Sequence, residues 1–82
     1  MISVIIVSYN VKDYLEKCIQ SIMKFSVGSS FEIIIVDNSS TDGSNEMLKG
    51  INSKKIKLIF NGKNLGFAKA VNIGLRHSNG DF

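Results

Sequence analysis

The sequence predicts an α/β protein, a three-layer Rossmann-like βαβαβα unit whose three strands form one parallel sheet. Short runs of branched aliphatics recur at Ser3 to Ser8, Phe31 to Val36 and Ile56 to Phe60. Each gives way to polar turn formers and then to apolar residues at helical spacing. Crossovers of this length between consecutive strands require parallel pairing with right-handed connections. With 82 residues, 44% apolar content and a mean hydropathy of +0.13, the chain has room for one packed, soluble unit spanning residues 1–82.

Strand one stops at Tyr9-Asn10, and Asn10 is a plausible N-cap for the helix that follows. In that helix Leu15, Cys18, Ile19, Ile22 and Met23 share one apolar face, which places Cys18 in the core. The helix should end near Phe25, before Val27-Gly28-Ser29-Ser30. Ser40 or Thr41 should cap a short second helix through Glu46, Met47 and Leu48, with Gly50 near its end. Asn61-Gly62-Lys63-Asn64 turns the chain into a third helix from about Gly66 to His77. Phe67, Ala68, Val71, Gly74 and Leu75 form its apolar side, with Ala68, Ala70 and Gly74 small enough for close approach to the sheet. Asn72 falls on the same side and is expected to be buried, bonding a loop carbonyl. His77 should complement the helix carboxyl end. Ser78-Asn79-Gly80 closes the helix, and Asp81-Phe82 reads as the approach to a fourth strand.

Ten Lys and Arg against seven Asp and Glu give a net charge of +3. The lysines at 49, 54, 55, 57 and 63 read as a solvated face, since no aromatic-rich RNA motif or base-reading helix accompanies them, and no nucleic-acid partner is expected. Cys18 is the sole cysteine, so no internal disulfide can form and metal-ligand spacing is absent. The apolar start lacks a basic leader and is far too short to span a bilayer, which suggests a cytoplasmic chain.

Function concentrates in Ile33 to Ser44, where four aliphatics run into Asp37-Asn38-Ser39-Ser40-Thr41-Asp42-Gly43. Open α/β sheets bind ligands at the carboxyl ends of their strands. A carboxylate there, Asp37, can accept a hydrogen bond from a base N–H or a ribose hydroxyl. It can equally close an Asx-turn that ends the strand. Asn64, Gly66 and Lys69 flank the start of helix three, where backbone amides, a glycine and a cation suit a phosphate. Lys69 also reads as an ordinary exposed helix lysine. No Gly-x-Gly-x-x-Gly follows strand one, which disfavours a dinucleotide-dependent oxidoreductase.

Three segments, Val4 to Asn10, Ile35 to Ser44 and Asn64 to Asn72, together resemble the family 2 glycosyltransferases of the GT-A fold. The Asn64-Leu65-Gly66-Phe67-Ala68 form is most similar to the rhamnosyltransferase-like branch of cell-surface polysaccharide assembly. The resemblance implies that the chain is the N-terminal, nucleotide-sugar-binding part of a GT-A domain, acting on a nucleoside diphosphate sugar for transfer to an acceptor hydroxyl. It places Ser8, Tyr9 and Asn10 against the nucleotide base and Asp37 on base or ribose. It also implies a divalent metal, Mg or Mn, whose ligands follow a later strand; Asp81 lies too early to be one. The metal motif and catalytic base would then be absent from these 82 residues, and the chain alone should be inactive. The alternative is a non-catalytic nucleotide- or carbohydrate-binding module of the same fold. By resemblance the family's strand order is three, two, one, then four, so without strand four Ser3 to Ser8 is left as an open edge, and a homodimer through that edge or through other uncovered faces is expected. Membrane association of a longer parent at the inner face stays open.

Overall fold

The computed structural model describes residues 2–25, 30–51 and 53–78. Its elements run β1 (Ile2–Ser8), α1 (Lys12–Phe25), β2 (Phe31–Asp37), α2 (Ser44–Lys49), β3 (Ile56–Phe60) and α3 (Phe67–His77). The strands form one parallel sheet in the order β1-β2-β3. All six anticipated elements are present. Asn79, Gly80, Asp81 and Phe82 lie outside the described residues, and with them the expected approach to a fourth strand.

Every residue of β2 is buried, the result expected of a central strand covered on both faces. Its alternation divides the core. Phe31, Ile33 and Ile35 face Leu15 and Ile19 of α1 and Leu48 of α2, with Val4 and Ile6 of β1 beside them. Ile34 and Val36 face Ala70 of α3, together with Ile5 and Val7. Two helices thus cover one face and α3 the other, directly over β1 and β2. Gly74 makes that approach possible: a Cβ there would stand 2.6 Å from Ile5 Cγ2 and 3.4 Å from Val36 Cγ2.

Several expectations need correction. Cys18 is exposed; α1 rests on Leu15 and Ile19, with Ile22 half-buried, and Cys18 lies outside that stripe. Asn72 is exposed, because the buried stripe of α3 runs through Ala70 and Gly74 instead, leaving Phe67 74% exposed and Ala68 exposed. Neither Ser40 nor Thr41 caps α2. Its N-cap is Gly43, in the left-handed region at φ 91°, which glycine adopts without a Cβ clash.

The carboxyl end of α3 behaves as expected. His77 Nδ1 lies 2.9 Å from the Ile73 carbonyl oxygen, and the Ser78 hydroxyl donates to Leu75 O at 2.8 Å. Three lysines of the basic stretch contact the chain itself. Lys57 pairs with the buried Glu32 at 3.0 Å, Lys55 lies 4.3 Å from the Phe31 ring centroid, and Lys49 lies 5.6 Å from that of Phe60. Among the described residues no helix is long and apolar enough to cross a membrane.

Candidate functional site

The parallel register ends all three strands at one level, with Ser8 opposite Asp37 and Asp37 opposite Phe60. The loops after β1 and β2 therefore meet. Asp37, 1% exposed, accepts from the Ser40 amide at 2.9 Å and from the Ser40 hydroxyl at 2.6 Å, so both carboxylate oxygens hold the loop. Ser40 Oγ in turn accepts from the Asn10 amide at 2.9 Å, and Asn10 Oδ1 accepts from the Thr41 amide at 2.7 Å. Asn10 thus braces the neighbouring loop rather than capping α1. Asn10 (φ 52°) and Ser39 (φ 67°) are the described non-glycine residues with left-handed backbone. Residues held in this region cost on the order of 1–3 kcal/mol and persist where surrounding bonds over-determine them, as the Asp37, Ser40 and Asn10 bonds do here.

Asp42 performs the capping that was expected elsewhere. Its Oδ2 accepts from the Lys12 amide at 3.0 Å, at the start of α1, while Oδ1 accepts from the Ser44 amide at 3.1 Å and from the Ser44 hydroxyl, at the start of α2. One carboxylate ties two helix N-termini, where negative charge is favoured. The Ser44 hydroxyl first, then the Lys12 amide, hold its carboxyl below the usual 3.8.

Asn38 links this region to α3. It is 2% exposed, and its amide donates to Ser8 O at 2.8 Å, extending the sheet by one bond. Its Nδ2 donates to Gly66 O at 3.3 Å and its Oδ1 accepts from Asn61 Nδ2 at 2.8 Å. The partners lie 23 and 28 residues away in sequence. Local spacing suggests only a turn former at this position, so this reach was missed. The Asn61 amide also donates to Asp37 O at 2.9 Å. At the start of α3, Asn64 Oδ1 accepts from the Gly66 amide at 2.9 Å, and Gly66 sits at φ 84° and ψ 168°, a conformation that excludes a side chain. No side chain caps the helix itself.

The sequence-derived candidates divide by exposure. Tyr9 (48% exposed), Asn10, Asn64, Gly66 and Lys69 are open to solvent along this edge. Ser8 and Asp37 are enclosed, and Ser8 Oγ is buried without a hydrogen-bond partner. A hollow of about 420 Å³ opens beside Asn10, Lys12, Tyr14 and Asp42, and one of about 240 Å³ beside Leu65, Lys69, Asn72 and Arg76. Among the described residues no group of three or more His, Cys, Asp or Glu is placed to hold a metal. The carboxylates of Asp37 and Asp42 are committed to loop and helix amides, so these residues do not fit a metal centre.

The sequence model of glycosyl transferase family 2 matches residues 3–82. An uncharacterized glycosyltransferase of Haemophilus influenzae is 39% identical over 77 residues, covering 92% of this chain and 24% of the relative. The putative teichuronic acid biosynthesis glycosyltransferase TuaG of Bacillus subtilis is 34% identical over 84 residues, covering 100% of this chain and 33% of the relative. Among solved structures, the mannosyltransferase PcManGT from Pyrobaculum calidifontis, in complex with GDP-Man and Mn²⁺, matches with a TM-score of 0.80 and 25% identity over 95% of this chain and 24% of that one. The chain therefore spans a third or less of the length of these relatives. A family match across nearly all of the chain, on a sheet whose strand ends and loops converge as described, establishes that this chain belongs to glycosyl transferase family 2.

Proposed function

We propose that the chain is the nucleotide-sugar-binding part of a glycosyltransferase that moves a sugar from a nucleoside diphosphate donor to an acceptor hydroxyl. The observation behind this reading is the likeness of its fold to a mannosyltransferase holding GDP-Man and Mn²⁺. In this reading the base lies against Tyr9 and Asn10, and the diphosphate approaches the uncapped start of α3 at Asn64, Gly66 and Lys69. Ser8 and Asp37 form the wall behind; direct contact with Asp37 would require the Ser40 loop to open, since Ser40 occupies both carboxylate oxygens. Any divalent metal would be held by residues of a longer protein. The Asn64 to Ala68 sequence supports a place in the rhamnosyltransferase-like branch, and a site of action at the inner membrane face fits polysaccharide assembly.

Isothermal titration of GDP, UDP and dTDP with Mn²⁺ into a longer protein containing these residues tests the reading. At least one nucleotide should bind, and Lys69→Ala should weaken it several-fold. Absence of binding by all three would overturn it.

A further inference from the structure

A second surface lies at the opposite end of the sheet from the nucleotide edge. Helix α2 has six residues, about 9 Å at 1.5 Å per residue, whereas α1 has fourteen and runs about 21 Å. The short helix cannot cover the start of β3, and a groove of about 690 Å³ remains between α1 and the segment from α2 into β3. Ile19 and Met23 form one wall, Met47 and Ile51 the other, and Ile56 lies at the start of β3. Gly50 adds no side chain to fill the space.

The charge on this groove runs against that of the molecule. The chain carries +3 overall, yet the charged residues lining the groove are Glu16 from α1 and Glu46 from α2, with Gln20 beside them. Both glutamates are exposed, and neither has an ion-pair partner among the described residues. Lys49, the last residue of α2, lies over the Phe60 ring rather than in the groove. An apolar trough between helices with a carboxylate on each wall disfavours an anionic lipid surface and complements a helix with an aliphatic stripe and flanking Lys or Arg. Met23 and Met47 add unbranched, polarizable side chains that repack around such a stripe.

We infer that this groove docks a basic amphipathic helix of a partner protein, independently of nucleotide binding at the other end of the sheet. The probe is a two-heptad Leu/Lys amphipathic peptide, compared with a Leu/Glu peptide of the same pattern. Binding is read from ¹³C-methyl resonances of Met23 and Met47 in the whole chain. Both resonances should move with the Leu/Lys peptide and stay in place with the Leu/Glu peptide, although the net charge of the protein favours the latter. Glu16→Lys with Glu46→Lys should weaken binding by about tenfold or more, equivalent to about 1.4 kcal/mol. Glu16→Gln with Glu46→Gln gives a milder second test, expected to weaken binding in the same direction. Stationary methyl resonances, equal response to both peptides, or full affinity in the folded glutamine variant would overturn the proposal. So would methyl shifts on raising protein concentration alone, which would assign the groove to a second copy.

Discussion

Gly74→Ala separates the packing of α3 from its helix propensity by the sign of its effect. On an open helix the change should stabilise by about 0.8–1.0 kcal/mol, because alanine loses less backbone entropy than glycine. Here the new methyl would lie 2.6 Å from Ile5 Cγ2, an atom fixed close to its backbone rather than at the tip of a flexible side chain. Overpacking of this kind costs about 1–3 kcal/mol. The net expectation is a loss of about 1 kcal/mol. Ile5→Ala alone removes a half-buried side chain and should cost about 2 kcal/mol, at the low end for such truncations. The double variant should lose less than the sum, since the space vacated by Ile5 receives the Gly74→Ala methyl. Urea unfolding of the four proteins, followed by circular dichroism, measures all three differences. A Gly74→Ala protein more stable than wild type would refute the close packing of α3 on β1.

Asp37→Ala should lower stability by about 1.5–3 kcal/mol, the scale of hydrogen bonds to a charged group, by orphaning the Ser40 amide and hydroxyl; additive effects of Asp37→Ala and Ser40→Ala in urea unfolding would contradict their pairing. Asn38→Ala should cost about 1–3 kcal/mol through its lost bonds to Asn61 and Gly66, and should speed amide hydrogen exchange around Gly66; unchanged exchange there would detach Asn38 from α3. Because the carboxyl of Asp42 is held below 3.8 in the folded state, its stabilisation is present above that pH and is lost as pH falls through the lower folded value. The melting temperature of Asp42→Asn should therefore lie below wild type near neutral pH, with the gap closing in strong acid; a constant gap would contradict this. β1 pairs with β2 on one side and with no other described strand, so amides along its outer edge should become more protected as protein concentration rises and a dimer forms by edge pairing. Sedimentation as a monomer at about 50 μM, at which an exposed strand edge is expected to pair, would dismiss that association.

The order of elements was legible because strand and helix periods alternate cleanly along the chain, and because β2, buried on both faces, reads as an unbroken aliphatic run. Faces of helices were harder. Cys18 and Asn72 sit at the margins of apolar stripes, and which margin meets the sheet depends on how the helix is rolled, a tertiary choice that spacing alone does not set. The caps failed for a related reason. Asn10 and Ser40 are good local capping residues, but Asn10 accepts from Thr41 in the neighbouring loop and Ser40 turns back onto Asp37 three residues earlier, while Asp42 reaches back 30 residues to cap α1. The segments at the carboxyl edge of the sheet were visible as sequence. The joining of the end of β1 to the loop after β3 through Asn38 depends on sheet register, and becomes visible only when Ser8, Asp37 and Phe60 are aligned.

A nucleoside diphosphate titration followed by ¹H–¹⁵N correlation spectra of the chain tests the central claim most directly, because it reports where the ligand sits as well as whether it binds. Shifts should concentrate at Tyr9, Asn10, Ser39 to Thr41 and Asn64 to Lys69, with Gly50, Ile51 and Ser53 at the far end of the sheet unmoved. Shifts at the far end with a silent carboxyl edge, or none at saturating nucleotide, would contradict the assignment of the donor site.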